Sequence, residues 1–361
     1  MVLERRSRSY LLLSLAAAMV LLAAAGAFVI GVDPLWISPA DLGIAHYYCV
    51  KDERQNKTDK IAFGRESYDT LLLGSSRANN DVDFSRYGMR VYTYALSGLF
   101  PQEYQGYVDF FARMKGTPRT VLLAVDFYGA ALPTDETLLD RPPEDYVRRV
   151  EAFDFRFGTI FSWNVLDYAR TTLFGCLPEP GEYGVFTRDG RMHVARWPTL
   201  AEAELRVRAN VNWYRAHRYG ASYVYNERLG EIFRRLRDAY PQTRFIVFVP
   251  PETALMQRLV AETGRLDDYA RWLGTLVDIF GEVYDFGGVN DISLDIRDWW
   301  YDAHHLYPEL ARIVYDRLLG AGGGEHADFG ERVTKENLAA HLLAHRQQLA
   351  AYLAADPALP R

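Results

Sequence analysis

The chain has 361 residues, 49% of them hydrophobic and 24% charged, and a net charge of -6. That length allows one large domain with insertions or two domains, and the balance excludes a disordered chain. A negative charge with no basic stripe and interleaved aromatics argues against a nucleic-acid partner, and two cysteines exclude a disulfide framework or a zinc-ligand spacing.

Residues 1–9 are basic, with Arg5, Arg6 and Arg8, and Tyr10 to Ile30 contains no charged residue. About 20 apolar residues span a bilayer as a helix, and basic flanks stay on the cytoplasmic side. Residues 10–30 therefore read as a single transmembrane anchor, with the rest of the chain outside the cytoplasmic membrane, in the periplasm. The alternative is a cleaved signal peptide, for which Ala23-Ala-Ala-Gly-Ala27 offers small residues. Residues 31–66 read as a membrane-proximal linker, because the mixed run Lys51 to Lys60 has the composition of solvated surface. In such a compartment a single Cys49–Cys176 bond is open.

Asp69-Thr-Leu-Leu-Leu-Gly-Ser-Ser-Arg77 carries an unbroken apolar run into small hydroxyl residues. This is the pattern of a buried parallel strand that ends in a tight turn and opens a helix. Ligands bind outside the carboxyl ends of such strands, so Ser75 and Ser76 face the expected site; a helix cap or an anion-cradling turn has the same pattern. Met89 to Leu96 alternates as a second strand and ends in Ser97-Gly98, a helix runs from Pro101 to Met114, and Arg119 to Asp126 is a third strand. This rhythm implies right-handed βαβ units.

Residues 129–222 form an aromatic-rich insertion, either a lid over the strand ends or a structural subdomain. It holds a Pro-rich loop at Arg141 to Glu144 and, at Asp189-Gly190, the turn of a hairpin spanning Glu182 to Val194. Tyr223 to Asp238 has helical spacing, Arg244 to Pro250 is a fourth core strand, a helix runs from about Leu255 to Phe280, and Glu282 to Phe286 is a fifth strand. Asp298-Trp-Trp-Tyr-Asp-Ala-His-His305 then precedes a final core helix at Pro308 to Leu319. Three residues apart in a loop, the Asp302 carboxylate can fix the tautomer of the His305 imidazole, and His305 can deprotonate a serine hydroxyl.

With Gly74-Ser75-Ser76 after the first strand, Gly98 after the second and Asp302-Ala-His-His305 near the end, the chain resembles the SGNH, or GDSL-like, hydrolase superfamily. Within it, the anchor and the Leu-Leu-Leu-Gly-Ser-Ser-Arg block are similar to membrane-anchored cell-surface acylation proteins of the alginate O-acetylation and teichoic acid D-alanylation type. The resemblance implies a three-layer α/β/α flavodoxin-like domain over residues 67–320 with a five-stranded parallel sheet. It makes Ser76 the nucleophile, His305 the base in preference to His304, and Asp302 its partner, with the backbone N–H groups of Ser76 and Gly98 at the oxyanion. No cofactor is implied. The implied activity is that of an esterase or O-acyltransferase on a surface or secreted polysaccharide, whose partners are an acyl donor and a membrane-bound O-acyltransferase. The alternatives are a catalytically silent glycan-binding or scaffold domain, or an unrelated α/β domain in which Gly-Ser-Ser-Arg cradles an anion. One block departs from the pattern: the third strand ends in Asp126, where the superfamily carries an oxyanion-donating Asn, and Asn79 and Asn80 are the substitutes in sequence.

Residues 321–361 form a tail. Val333 to Leu353 reads as an amphipathic surface helix, and His341 and His345 have an i, i+4 metal spacing without the Glu of a metalloprotease motif, so no metal is expected. Truncation after Leu319 is expected to leave esterase activity largely intact.

Overall fold

A computed structural model describes residues 2–39, 41–133, 142–179, 184–322, 324 and 326–355. Arg141 of the Pro-rich loop and Glu182–Tyr183 of the expected hairpin lie outside them. The chain divides into two compact units: Met1–Glu66, Asp145–Leu177 and Val185–Arg188 form one, and the remaining residues form the other.

In the first unit, a helix at Val2–Val32 contains a segment, Arg8–Val32, that is long and apolar enough to cross a membrane. The expected linker is not solvated surface. Glu53–Phe63 is a helix whose residues Arg54 to Ile61 are all buried. Several of its polar groups have partners within the unit. Lys57 pairs with Glu53 at 2.9 Å, Gln55 donates to Asp59 at 2.6 Å, and Lys60 donates to the Arg188 carbonyl at 2.6 Å. Arg188 itself pairs with Asp33 at 2.5 Å. Buried charges persist where they are paired, as Lys57 is with Glu53 and Arg188 with Asp33. Cys49 and Cys176 are disulfide-bonded, with Cα atoms 5.5 Å apart.

The second unit carries a six-stranded, mostly parallel sheet. Its strands are β1 (Thr70–Ser75), β2 (Val91–Leu96), β3 (Thr120–Ala124), β6 (Arg244–Val249), β7 (Glu282–Asp285) and β8 (Glu331–Thr334), in the order β2-β1-β3-β6-β7-β8. The short strands β4 (Val185–Phe186) and β5 (Met192–His193) flank the Asp189-Gly190 turn, where Gly190 has φ 86°. β1 lies between β2 and β3 with Leu72 opposite Thr93 and Leu122, so neither of its faces meets water and its apolar run does not alternate. Leu72, Leu122, Ile246 and Phe248 bury one sheet face against Leu310, Ala311, Val314 and Tyr315 of the Pro308–Leu319 helix. Each such large side chain contributes about 1.5–3 kcal/mol of transfer free energy. Gly74 has a steric reason: a Cβ there would sit 2.6 Å from the Ala124 Cβ.

The five parallel strands fall where the sequence places them, and three local expectations need correction. Ser76 opens only a single 3-10 turn, Ser76–Ala78. The expected Leu255–Phe280 helix is two helices, Ala254–Glu262 and Leu266–Phe280, broken at Gly264 with φ 73°. The tail is not a surface helix alone, since residues 331–334 form β8, an antiparallel sixth strand on the β7 edge, before the helix Leu338–Ala355.

That tail helix is tied by its two histidines, one to β7 and one to the helix Ala254–Glu262. His341 Nε2 lies 2.8 Å from Asp285 Oδ2, which also accepts from the Tyr269 hydroxyl at 2.8 Å. His345 Nε2 lies 2.9 Å from Gln257 Oε1. Burial alone would raise the pKa of Asp285, but the hydrogen bond and charge of His341 hold it below the usual carboxylate range. The i, i+4 spacing thus serves two separate side-chain hydrogen bonds. Truncation after Leu319 would expose the β7 edge and leave the buried Asp285 carboxylate without its cation. A broken buried pair costs about 3–5 kcal/mol. The truncated chain is expected to melt well below the full chain, and equal melting temperatures would contradict this role for the tail.

Candidate active site

The ends of the parallel strands supply the site. β1 ends in Ser75 and Ser76 follows it; after β2 come Ser97 and Gly98, after β3 Asp126, and after β6 Glu252. Gly98 has φ 61°, a left-handed conformation that favours glycine. The Asp302–His305 loop is fixed from two sides: Tyr301 N donates to the His305 carbonyl at 2.9 Å, and Thr253 donates its backbone N–H and hydroxyl to the Ala303 carbonyl, both at 3.0 Å.

Asp302, His305 and Ser76 form a continuous hydrogen-bonded series. Asp302 Oδ2 lies 2.7 Å from His305 Nδ1, and His305 Nε2 lies 2.9 Å from Ser76 Oγ. Asp302 Oδ1 accepts from the backbone N–H groups of His304 and His305 at 2.9 and 2.8 Å. Burial opposes ionisation of Asp302, but the His305 imidazole and these donors outweigh it and hold the carboxyl well below its usual range. An ionised carboxylate only accepts, so Nδ1 carries the ring proton and Nε2 is left to accept from the serine. Ser76 and His305 are each 8% exposed, so the pair is shielded yet reachable.

The neighbouring residues have other partners. Ser75 Oγ accepts from Arg77 N at 3.2 Å, capping the 3-10 turn. His304 Nδ1 is 3.7 Å from Asp302 Oδ1, beyond hydrogen-bond distance, and its ring meets Tyr214 edge-on with centroids 4.9 Å apart. Burial pushes the His304 imidazole well below its ordinary pKa against the pull of Asp302, and Arg77 and Arg206 add to the depression.

The position of Asp126 has a structural explanation. Arg77, the residue after Ser76, is buried with Nε 3.3 Å from Asp126 Oδ1 and Nη1 2.7 Å from Glu252 Oε2. Gln257 bridges onward, donating to Glu252 Oε1 at 2.9 Å, so the network that starts at His345 ends at Arg77, beside Ser76. Burial raises the pKa values of Asp126 and Glu252 while Arg77 pulls both down. Asp126 is therefore the counter-ion of Arg77. Asn80 donates to the Arg77 carbonyl at 3.1 Å, and neither it nor Asn79 is among the described residues lining the cavity over Ser76.

No protein-family model, curated protein or solved structure matches the chain. Its chemistry must be read from the geometry.

That cavity has a volume of about 580 Å³ and is walled by Ser76, Gly98 and His305 together with Arg206, Asn210, Trp213, Tyr214 and Arg218. The latter five come from the helix Leu200–Tyr214 and the five-residue π-helical turn Arg215–Tyr219 that continues it. Sequence reading passed over them. The available signal was Arg206, Asn210 and Trp213–Tyr214 recurring at helical spacing within the insertion.

Proposed function

We propose that the chain is a membrane-anchored, extracytoplasmic acyl-ester enzyme of SGNH type, an esterase or O-acyltransferase for a surface or secreted polysaccharide. The observation that carries this reading is the Asp302–His305–Ser76 series, with both links under 3 Å. Ser76 Oγ attacks the acyl carbonyl while its proton passes to His305 Nε2, and Asp302 stabilises the resulting imidazolium. The oxyanion faces the backbone N–H groups of Ser76 and Gly98. Collapse expels the alcohol, which takes the proton back from His305, and leaves an acyl-serine. Water then releases the acid, or a sugar hydroxyl takes the acyl group. The apolar N-terminal helix, the basic residues before it and the Cys49–Cys176 bond support an anchored domain in an oxidising compartment. A three-layer flavodoxin-like arrangement agrees with the order of the five parallel strands.

A second reading, a silent glycan-binding or scaffold domain of an acylation complex, is favoured by one observation. Asp126 stands where the superfamily's third oxyanion donor would be, and it is held by Arg77. Losing one such donor typically costs about a hundredfold to a thousandfold in rate. A fluorophosphonate probe separates the two. The detergent-solubilised full chain is expected to be labelled at Ser76. Failure of labelling with an intact fold would favour the silent domain.

A further inference from the structure

We infer that Arg206 and Arg218 form an anion-binding subsite beside Ser76, so that the substrate carries an anionic oxygen group, carboxylate or phosphate, close to the reacting acyl. This rests on the acyl-ester reading for the word substrate, but the subsite itself rests on the cavity's charge.

Both guanidinium groups line the same cavity as Ser76 and His305. Among the described residues neither pairs with a carboxylate, whereas the neighbouring Arg215 is paired with Glu262 at 2.5 Å. The Nε of each is closed off from water and without a hydrogen-bond partner. A buried, unsatisfied charged donor is costly, and folding alone gives no reason to place two of them in one cavity. The carboxylate in that cavity, Asp302, is committed to His305 and to two backbone N–H groups. His304 adds no positive charge, since burial keeps its ring neutral. The cavity is therefore net positive, and the charge belongs to the two arginines.

The setting of Arg218 holds it in place without neutralising it. The Arg218 guanidinium lies over the rings of Phe100, Tyr128 and Trp213 at 5.3, 5.5 and 5.2 Å. Aromatic faces orient a guanidinium and leave its N–H edge available for bidentate contact with an oxyanion group. The π-helical turn that carries Arg218 is a distortion common at functional sites, and here it continues the helix bearing Arg206. A volume of about 580 Å³ falls in the range of small-ligand sites.

The test is direct binding to the full-length Ser76→Ala chain in detergent, where no turnover interferes. Methyl glucuronide, glucose 6-phosphate and methyl glucoside are titrated by calorimetry, at low and at high salt. The two anions are expected to bind at least tenfold more tightly than the neutral sugar, with the advantage shrinking in salt. Arg206→Gln and Arg218→Gln should each weaken anion binding about ten- to a hundredfold and leave binding of the neutral sugar nearly unchanged. The larger of the two anion affinities says whether a carboxylate or a phosphate is preferred. Equal binding of charged and neutral sugars, or anion binding indifferent to both arginine variants, would overturn the subsite. Absence of fluorophosphonate labelling in the wild type alongside arginine-dependent anion binding would instead remove the enzyme reading and leave the subsite standing.

Discussion

Replacing Ser76 by alanine is expected to abolish fluorophosphonate labelling and to lower ester cleavage by roughly 10⁴- to 10⁶-fold. The fold should survive, because the Ser76 hydroxyl donates a single hydrogen bond, to His305 Nε2, and its loss costs about 1 kcal/mol. Asp302→Asn gives a more specific outcome. Its amide oxygen can still accept from the backbone N–H groups of His304 and His305, so the loop should hold. Its NH₂ would face His305 Nδ1 as a donor, forcing the ring proton to Nε2 and removing the acceptor that Ser76 needs. About a 10⁴-fold loss with little change in melting temperature follows. Ser75→Ala is the contrast. Ser75 caps the 3-10 turn, so its removal should cost about 1 kcal/mol of stability and less than tenfold in rate. Rates on a chromogenic acetate ester, with circular dichroism of each variant, check all three. Ser76→Ala turning over at the wild-type rate would dismiss the triad.

How much of this could be read from the sequence depended on how local the cause was. Leu71 to Leu73 announce β1 because a central parallel strand is apolar on both faces, and Asp302 and His305 meet through a three-residue loop. Ser76 could be placed opposite them because the first and last loops of such a sheet end at the same edge. β8 escaped because Glu331, Arg332, Val333 and Thr334 offer one fully buried position, and charged residues are what an edge strand carries. The Glu53–Phe63 helix looked like solvated surface because some of its partners lie far along the chain. Lys60 is satisfied by Arg188, 128 residues away. The same distance hid the reason for Asp126. Its departure from the expected Asn was plain, but the Arg77–Glu252 pair that explains it spans 175 residues. Arg206 and Arg218 were invisible for another reason: helical spacing shows that residues share a face, not that the face looks onto the cavity over Ser76.

Arg77 is where stability and the site meet, and Arg77→Met is expected to be the most destabilising single change near Ser76. The guanidinium stands between two buried carboxylates, Asp126 and Glu252, and the substitution removes it from both. Breaking one buried pair costs about 3–5 kcal/mol, and here two like charges are left facing each other. The pH dependence has a definite sign. Burial already raises the folded pKa values of Asp126 and Glu252 above their unfolded ones, and loss of Arg77 raises them further. Between the unfolded and the raised folded pKa, the native state binds more protons than the unfolded state, so stability falls as pH rises. The variant's deficit should therefore be larger at pH 8 than at pH 5, where the carboxyls can accept protons. Adding Glu252→Gln should restore part of the loss at pH 8, because it removes one of the two uncompensated charges, and little at pH 5. Urea unfolding of the single and double variants at both pH values measures these differences. A single variant as stable as the wild type at pH 8 would mean that Arg77 is solvated or that its partners are already neutral, and the account of Asp126 as its counter-ion would fail.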